Sequence, residues 1–292
     1  IKFDIFLNIA INLGADYIAT GHYARVSNIK VDNQNIYKLL SGIDSEKDQS
    51  YFLCQLNQNQ LSKVIFPIGE LTKTEVRLIA KKNNLITAEK KDSQGLCFIG
   101  KVKLPEFLKQ RLIPNEGKVI KINNDFNGLI SSRNDFNSKR EYLYYLSSPY
   151  SFSINDGEII GKHQGSYYYT IGQRKGLDIG GFEKPLFVIE TDVQNNIIYV
   201  GMGDDHAGLF KKALFVQFSD IHWVRTDLSI QENEELEVLF RVRYRQPLQK
   251  GTIFMFNEGL YILFKKSISS VTPGQFVSWY LDDELIGSGV IN

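Results

Sequence analysis

The residues best suited to covalent chemistry lie in the run Asp92-Ser93-Gln94-Gly95-Leu96-Cys97-Phe98-Ile99-Gly100. Cys97 is one of 2 cysteines in the chain, and it sits between two glycines just behind Glu89, Lys90 and Lys91. Nearby cations favour a thiolate and a glycine-flanked loop admits a substrate, so this is a place for a reactive, nucleophilic cysteine. The same residue also reads as a small buried hydrophobe. The motif holds no base, and the histidines nearest in sequence are His22 and His163. Cys54 lies among Phe52, Leu53 and Leu56 and reads as core packing.

Other candidates need elements to position them. Phe3, Phe6, Leu7, Ala10 and Leu13 recur at helical spacing, with Gly14 where a helix ends. Asp16 to Thr20 then reads as a short strand running into Gly21-His22-Tyr23, which predicts part of a parallel α/β sheet. Ligands of such sheets sit beyond the carboxyl ends of the strands. Gly21 would let a nucleotide approach the backbone and His22 would face the same crevice; a plain turn is the alternative. The polar run Gly42 to Ser50 predicts a loop or helix start, and Tyr51 to Leu56 predicts core. Thr72 and Glu75 form a capping box ahead of Val76, Ile79 and Ala80, with Lys81 and Lys82 suited to the helix C-terminus.

Helical spacing continues through Leu104, Phe107, Leu108 and Leu112 until Pro114, and a domain boundary is expected near residue 102. From Asn123 to Ser153 the chain is rich in Asn, Ser and Tyr without clear period, which predicts an insertion on a loop or hairpin. Thr170 to Gly181 carries four glycines around Arg174 and Lys175. It lacks the order of a P-loop, but its freed amides and two cations suit phosphates of an RNA backbone as well as they suit a solvated basic hairpin. Leu236, Val238, Phe240, Val242 and Tyr244 alternate with Glu237, Leu239, Arg241, Arg243 and Arg245. That period of two predicts a strand with a core face and an arginine row, either a phosphate stripe or a solvated edge. Thr252 to Phe256, Leu260 to Phe264 and Phe276 to Ile286 add hairpins, and together they predict a small β-barrel.

The whole chain has 292 residues, enough for two or three domains, with a formal charge of +1. Global attraction to RNA or membrane is excluded, so RNA binding must come from patches. Two cysteines argue against a disulfide framework and for a reducing, cytoplasmic setting. No apolar run approaches the ~18 residues of a membrane span. The chain opens on Ile1 inside an amphipathic pattern, which reads as the rear part of something longer.

Seven motifs in one order resemble the bacterial tRNA-specific 2-thiouridylase family: Gly14 to Tyr23, Lys47 to Phe52, Phe66 to Gly69, Asp92 to Gly100, Thr170 to Gly181, Arg243 to Gln246, and Thr272 to Gln275. The likeness spans essentially the whole chain apart from the insertion. It implies an α/β plus β fold: the C-terminal part of an adenine-nucleotide α-hydrolase-like parallel α/β domain over 1–102, a small central α+β domain over 103–206, and a C-terminal β-barrel over 207–292. It implies ATP, with Mg²⁺, adenylating the C2 oxygen of the tRNA wobble uridine before a persulfide sulfur attacks C2. By resemblance Cys97 bears the persulfide and Gly21 contacts ATP. His22, Lys47, Asp48, Gln49, Arg243, Tyr244 and Gln275 contact tRNA, while Arg174, Lys175 and Arg245 remain possible phosphate contacts. Implied partners are tRNA and a sulfur-relay protein or cysteine desulfurase as persulfide donor, with no membrane and no structural metal.

Two departures accompany the resemblance. The family's Ser-Gly-Gly-x-Asp-Ser phosphate loop does not occur in these residues, nor does its second catalytic cysteine, which belongs just before the helix that opens at Ile1. The expectation is a fragment that binds tRNA without adenylating it. The competing reading is a noncatalytic tRNA-binding or RNA-binding protein with a decayed catalytic domain. A thiol redox enzyme is disfavoured because no Cys-x-x-Cys motif is present.

Overall fold

The computed structural model describes residues 1–90, 107, 110–126 and 135–292. The Cys97 motif and most of the helical run from Leu104 lie outside the described residues. Two compact units make up the chain: Ile1–Lys90, Phe215–Lys265 and Pro273–Asn292 form one, Lys91–Leu214 and Lys266–Thr272 the other.

The first unit opens with a π-helical turn over Lys2–Phe6 that continues as α1 (Leu7–Asn12), and Gly14 leaves it at φ 92°. The wider π turn shifts the phase of the predicted stripe. Leu7 is buried and Phe3, Ala10 and Ile11 pack with it, whereas Phe6 and Leu13 of the expected stripe are exposed. Strand β1 (Ile18–Ala19) precedes the hairpin β2 (Ala24–Val31) and β3 (Gln34–Ser41), which turns through Asp32 and Asn33, both at positive φ. A 3₁₀ turn over Ser50–Leu53, α2 (Gln58–Leu61), β4 (Val64–Ile65) and α3 (Lys73–Lys82) follow. β1 and β4 pair in parallel, as the helix-strand-turn pattern predicts. The Thr72–Glu75 capping box is formed in both directions.

The second unit is built on β5 (Gly117–Ile122), β6 (Glu158–His163), β7 (Leu186–Asp192) and β8 (Ile197–Met202), in the order β6-β5-β8-β7. β5 and β8 are parallel and the outer pairs antiparallel. Apolar clusters on both sides of this sheet, one around Ile120 and Tyr199, the other around Val119 and Ile198, bury the middle of its central strands. Ile197-Ile198-Tyr199-Val200 is therefore a continuous apolar run instead of an alternating one. Leu177 and Ile179 of the glycine-rich run close the second cluster. The insertion is not purely loop or hairpin: Lys139–Ser147 is a helix, α4, capped by the Ser138 hydroxyl accepting the Glu141 N–H at 3.1 Å. Its tyrosines hide the period, because Leu143 alone of its residues is buried.

The chain continues through β9 (Phe210–Gln217), β10 (Ile221–Trp223), β11 (Glu235–Arg241), β12 (Gln249–Phe256), β13 (Gly259–Ser269), β14 (Phe276–Leu281) and β15 (Glu284–Val290). These join the first hairpin in a nine-stranded sheet, β2-β3-β15-β14-β11-β12-β13-β9, with β10 on β15. The predicted tight turns are present: Phe256 pairs with Gly259 and Leu281 with Glu284. The arginine row is not. β11 ends at Arg241, which is buried, and the chain then turns so that Arg243 is half-buried and Arg245 exposed. Leu39 and Leu53 share one core with Val224, Tyr280 and Leu285, so residues from both ends of the chain are packed into a single interior.

Among the described residues no helix is long and apolar enough to cross a membrane.

Candidate nucleic-acid interface

Gly21 follows β1 and is exposed, with open space where a Cβ would stand, so its backbone is accessible to a ligand. His22 is half-buried between Phe3 and Phe66, at ring-centroid distances of 5.7 and 5.9 Å, and its Nδ1 lies 2.8 Å from the Thr20 hydroxyl oxygen. Burial, helped by the charge of Lys2, pulls its pKa down to about 4. The ring is thus neutral at physiological pH, a hydrogen-bonding group and not a cation.

Two hydrogen bonds tie this turn to the Lys47-Asp48-Gln49 loop. Tyr23 N–H donates to Gln49 Oε1 at 3.0 Å, and Gln49 N–H donates to the Tyr23 carbonyl at 2.8 Å. Asp48 is buried, and its carboxylate organises the loop. Oδ1 accepts the N–H groups of Gly42 and Ser50, both at 3.0 Å, and Oδ2 accepts the Ser50 hydroxyl at 3.0 Å and lies 3.0 Å from Arg241 Nη2. The Ser50 hydroxyl oxygen is 3.1 Å from Tyr280 Oη, and the Arg241 guanidinium lies over the Tyr280 ring. A buried carboxylate with this many charge-assisted partners is a scaffold for its neighbours.

Beyond the loop, Tyr51 Oη sits 2.8 Å from the Phe276 carbonyl oxygen and 3.2 Å from that of Val242, and burial pushes its phenol up to about 12. The 3₁₀ turn is thereby fastened on one side to the Arg243-Tyr244-Arg245-Gln246 segment and on the other to the strand after Gln275. Lys47, Arg241, Arg245 and Gln246 line one cavity of about 730 Å³, whose wall also carries Glu46, Asp282 and Asp283. Burial lowers the Arg243 pKa. Gln275 is half-buried, and its carbonyl accepts the Ile291 N–H.

The remaining candidates belong to other segments of the chain. Arg174 and Lys175 are exposed in the second unit, where Arg174 lines a cavity of about 610 Å³ with the glycine-rich loop. Cys97 lies outside the described residues. Cys54 is buried, its thiol pushed up to about 11 by desolvation, in keeping with a packing role. Sequence reasoning missed Arg241 as a partner of Asp48, and it placed Phe52 in the core although that side chain is 58% exposed.

Residues 1–101 match the family described as tRNA methyl transferase HUP domain, residues 150–202 the tRNA methyl transferase PRC-barrel domain, and residues 215–291 the aminomethyltransferase beta-barrel domain. A HUP lobe followed by two β-barrel modules defines a multidomain tRNA-modifying enzyme. The tRNA-specific 2-thiouridylase MnmA of Christiangramia forsetii is 54% identical over all 292 residues and that of Flavobacterium johnsoniae 56%, and in each case the chain spans 74% of the relative. The protein of the same name from Bacillus subtilis is 41% identical, with 100% of this chain covering 68% of it. The chain belongs to the tRNA-specific 2-thiouridylase family, enzymes that are tRNA-uridine 2-sulfurtransferases and whose HUP domain implies ATP use.

Proposed function

We propose that the chain serves ATP-dependent 2-thiolation of the wobble uridine of tRNA in the cytoplasm. The observation that carries this reading is that 2-thiouridylases cover every residue of the chain at 54% and 56% identity. The C2 oxygen would be adenylated by ATP with release of pyrophosphate, and Mg²⁺ would supply charge neutralisation for that step. The terminal sulfur of a Cys97 persulfide, loaded by a relay protein or desulfurase, then attacks C2 and expels AMP. A second thiol attacks the Cys97 sulfur, leaving the new sulfur on C2 and a disulfide on the enzyme. Cys54 does not suit that second role, being buried and protonated.

Gly21, with open space above its backbone, suits the approach of ATP. His22, Lys47, Gln49, Arg243, Tyr244 and Gln275 are assigned to tRNA, with Asp48 acting through the loop it holds. Arg174, Lys175 and Arg245 are assigned to phosphates. The functional modules run over 1–102, 103–206 and 207–292. Adenylation requires a Ser-Gly-Gly-x-Asp-Ser type loop, which these residues do not contain, so they supply the sulfur carrier and the tRNA grip.

The test is Cys97→Ser in a chain carrying that loop, assayed with ATP, tRNA and a persulfide donor. Thiouridine formation is expected to vanish while tRNA affinity stays within about twofold. Undiminished thiolation would overturn the role of Cys97, and a wild-type enzyme that makes no thiouridine would favour the noncatalytic RNA-binding alternative.

A further inference from the structure

Leu53, Cys54 and Leu56 are buried, but Phe52 in the same apolar run is 58% exposed. A phenylalanine left in water forgoes the burial that its neighbours obtain. Its ring does not stand alone: it packs against Tyr244 at a centroid distance of 4.4 Å and an interplanar angle of 40°, and against the edge of Tyr51 at 5.9 Å. The Arg245 guanidinium lies 5.3 Å from the Tyr244 ring centre. Arg245 holds φ at 65°, a left-handed conformation unusual for a side chain of this size. The turn keeps it there: Gln246 Oε1 accepts the Val242 N–H at 2.9 Å, and Gln246 N–H donates to the Arg243 carbonyl at 3.2 Å. Phe52 itself is fixed from below, since Leu53 is 2% exposed and Tyr51 is anchored by its hydroxyl. The result is a preformed column of aromatic rings ending in a cation, with one ring facing outward.

We propose that Phe52, backed by Tyr244 and flanked by Arg245, is a stacking platform for one unpaired base of the bound tRNA. This inference rests on the tRNA reading above and adds to it a residue and a mode of contact. Unpaired RNA bases are held by stacking on aromatic faces, with arginine planes and phosphate contacts beside them, and Phe52 offers such a face at low entropic cost. The neighbouring cavity wall mixes Lys47, Arg241 and Arg245 with Glu46, Asp282 and Asp283, so charge alone does not make this a phosphate groove. Stacking is the component the geometry adds.

The experiment measures binding of a fluorescent tRNA to the wild-type protein and to Phe52→Leu, Phe52→Trp and Arg245→Ala across a salt series. Phe52→Leu keeps an apolar side chain on Tyr244 but removes the π face, and it is expected to weaken tRNA about five- to a hundredfold without changing the salt slope. Arg245→Ala is expected to flatten that slope. Phe52→Trp should bind like wild type, with indole fluorescence quenched by tRNA and unaffected by heparin. Wild-type affinity in Phe52→Leu, or an equal loss of heparin binding, would overturn the platform while leaving the tRNA reading intact. Failure of the wild-type protein to bind tRNA would overturn both.

Discussion

Asp48 and Arg241 are 3% and 6% exposed, and each holds its charge away from water against the other, with neutral hydrogen-bond donors and one aromatic ring beside them. Removing one partner of such a pair leaves an uncompensated buried charge and costs about 3–5 kcal/mol. Asp48→Ala is therefore expected to lower the unfolding free energy measured by urea denaturation by that amount, and a second change, Arg241→Met, to recover most of it. Equal losses in the single and double variants would show that the carboxylate acts through its backbone partners alone. His22 gives a pH-dependent counterpart. Its folded pKa of about 4 lies below the unfolded value near 6.5, so the unfolded chain takes up a proton first as the pH falls. The stability it contributes is complete above pH 6.5 and is lost progressively down to about 4. His163 and His206, also lowered by burial, act in the same direction. NMR titration of the His22 ring should show a midpoint near 4, and in His22→Phe the loss of stability between pH 6.5 and 4 should be smaller.

Helix α3 shows how far local signals carry a fold. None of its residues is buried, so packing contributes little and the helix depends on its ends. Thr72 and Glu75 supply them: the Thr72 N–H donates to Glu75 Oε2 at 2.7 Å, and the Thr72 hydroxyl oxygen accepts the Glu75 N–H at 3.3 Å. Thr72→Ala should cost about 1 kcal/mol, read as faster amide exchange over 76–82 with no change in β3. In the glycine-rich run, Gly172 has φ 83°, and a Cβ there would lie 2.0 Å from Ser270 Oγ. Gly172→Ala should destabilise the second unit, and Ser270→Gly should relieve only the steric part, leaving the backbone strain. Elements of this kind were legible because cap, turn and alternation are written in adjacent residues. The phase of the first helix was not, since a π turn at Lys2–Phe6 rotated the stripe. Nor was the fate of Arg241, because the carboxylate that draws it inward is 193 positions away, at Asp48, and only the folded sheet brings them together. Phe52 was misread for the related reason that a 3₁₀ turn, three residues per turn, faces one ring of an apolar run outward.

At the scale of the whole molecule, β3 and β15 are hydrogen-bonded neighbours, with Leu39 opposite Leu285 and Leu40 opposite Glu284. The Arg225–Glu284 and Lys38–Glu284 ion pairs reinforce the same seam. The lobe that carries Gly21, His22 and Lys47 and the sheet whose β11 leads into the Arg243–Tyr244 turn thus share one interior, and the two sets of candidate tRNA contacts are fixed by the same core. Family boundaries drawn along the sequence separate them, at 1–101 and 215–291, yet the packing does not. Leu39 is 0% exposed in that interior, and Leu39→Ala is expected to cost about 2–5 kcal/mol through lost burial and the cavity left behind. If the seam is a true core, amide protection should fall over 277–290 as well as over 34–41, and tRNA affinity should weaken in the variant before global unfolding is detectable. Loss of protection confined to 34–41 would mean that the barrel strands hold together without the first lobe, and that the tRNA contacts are aligned by the substrate instead of by the fold.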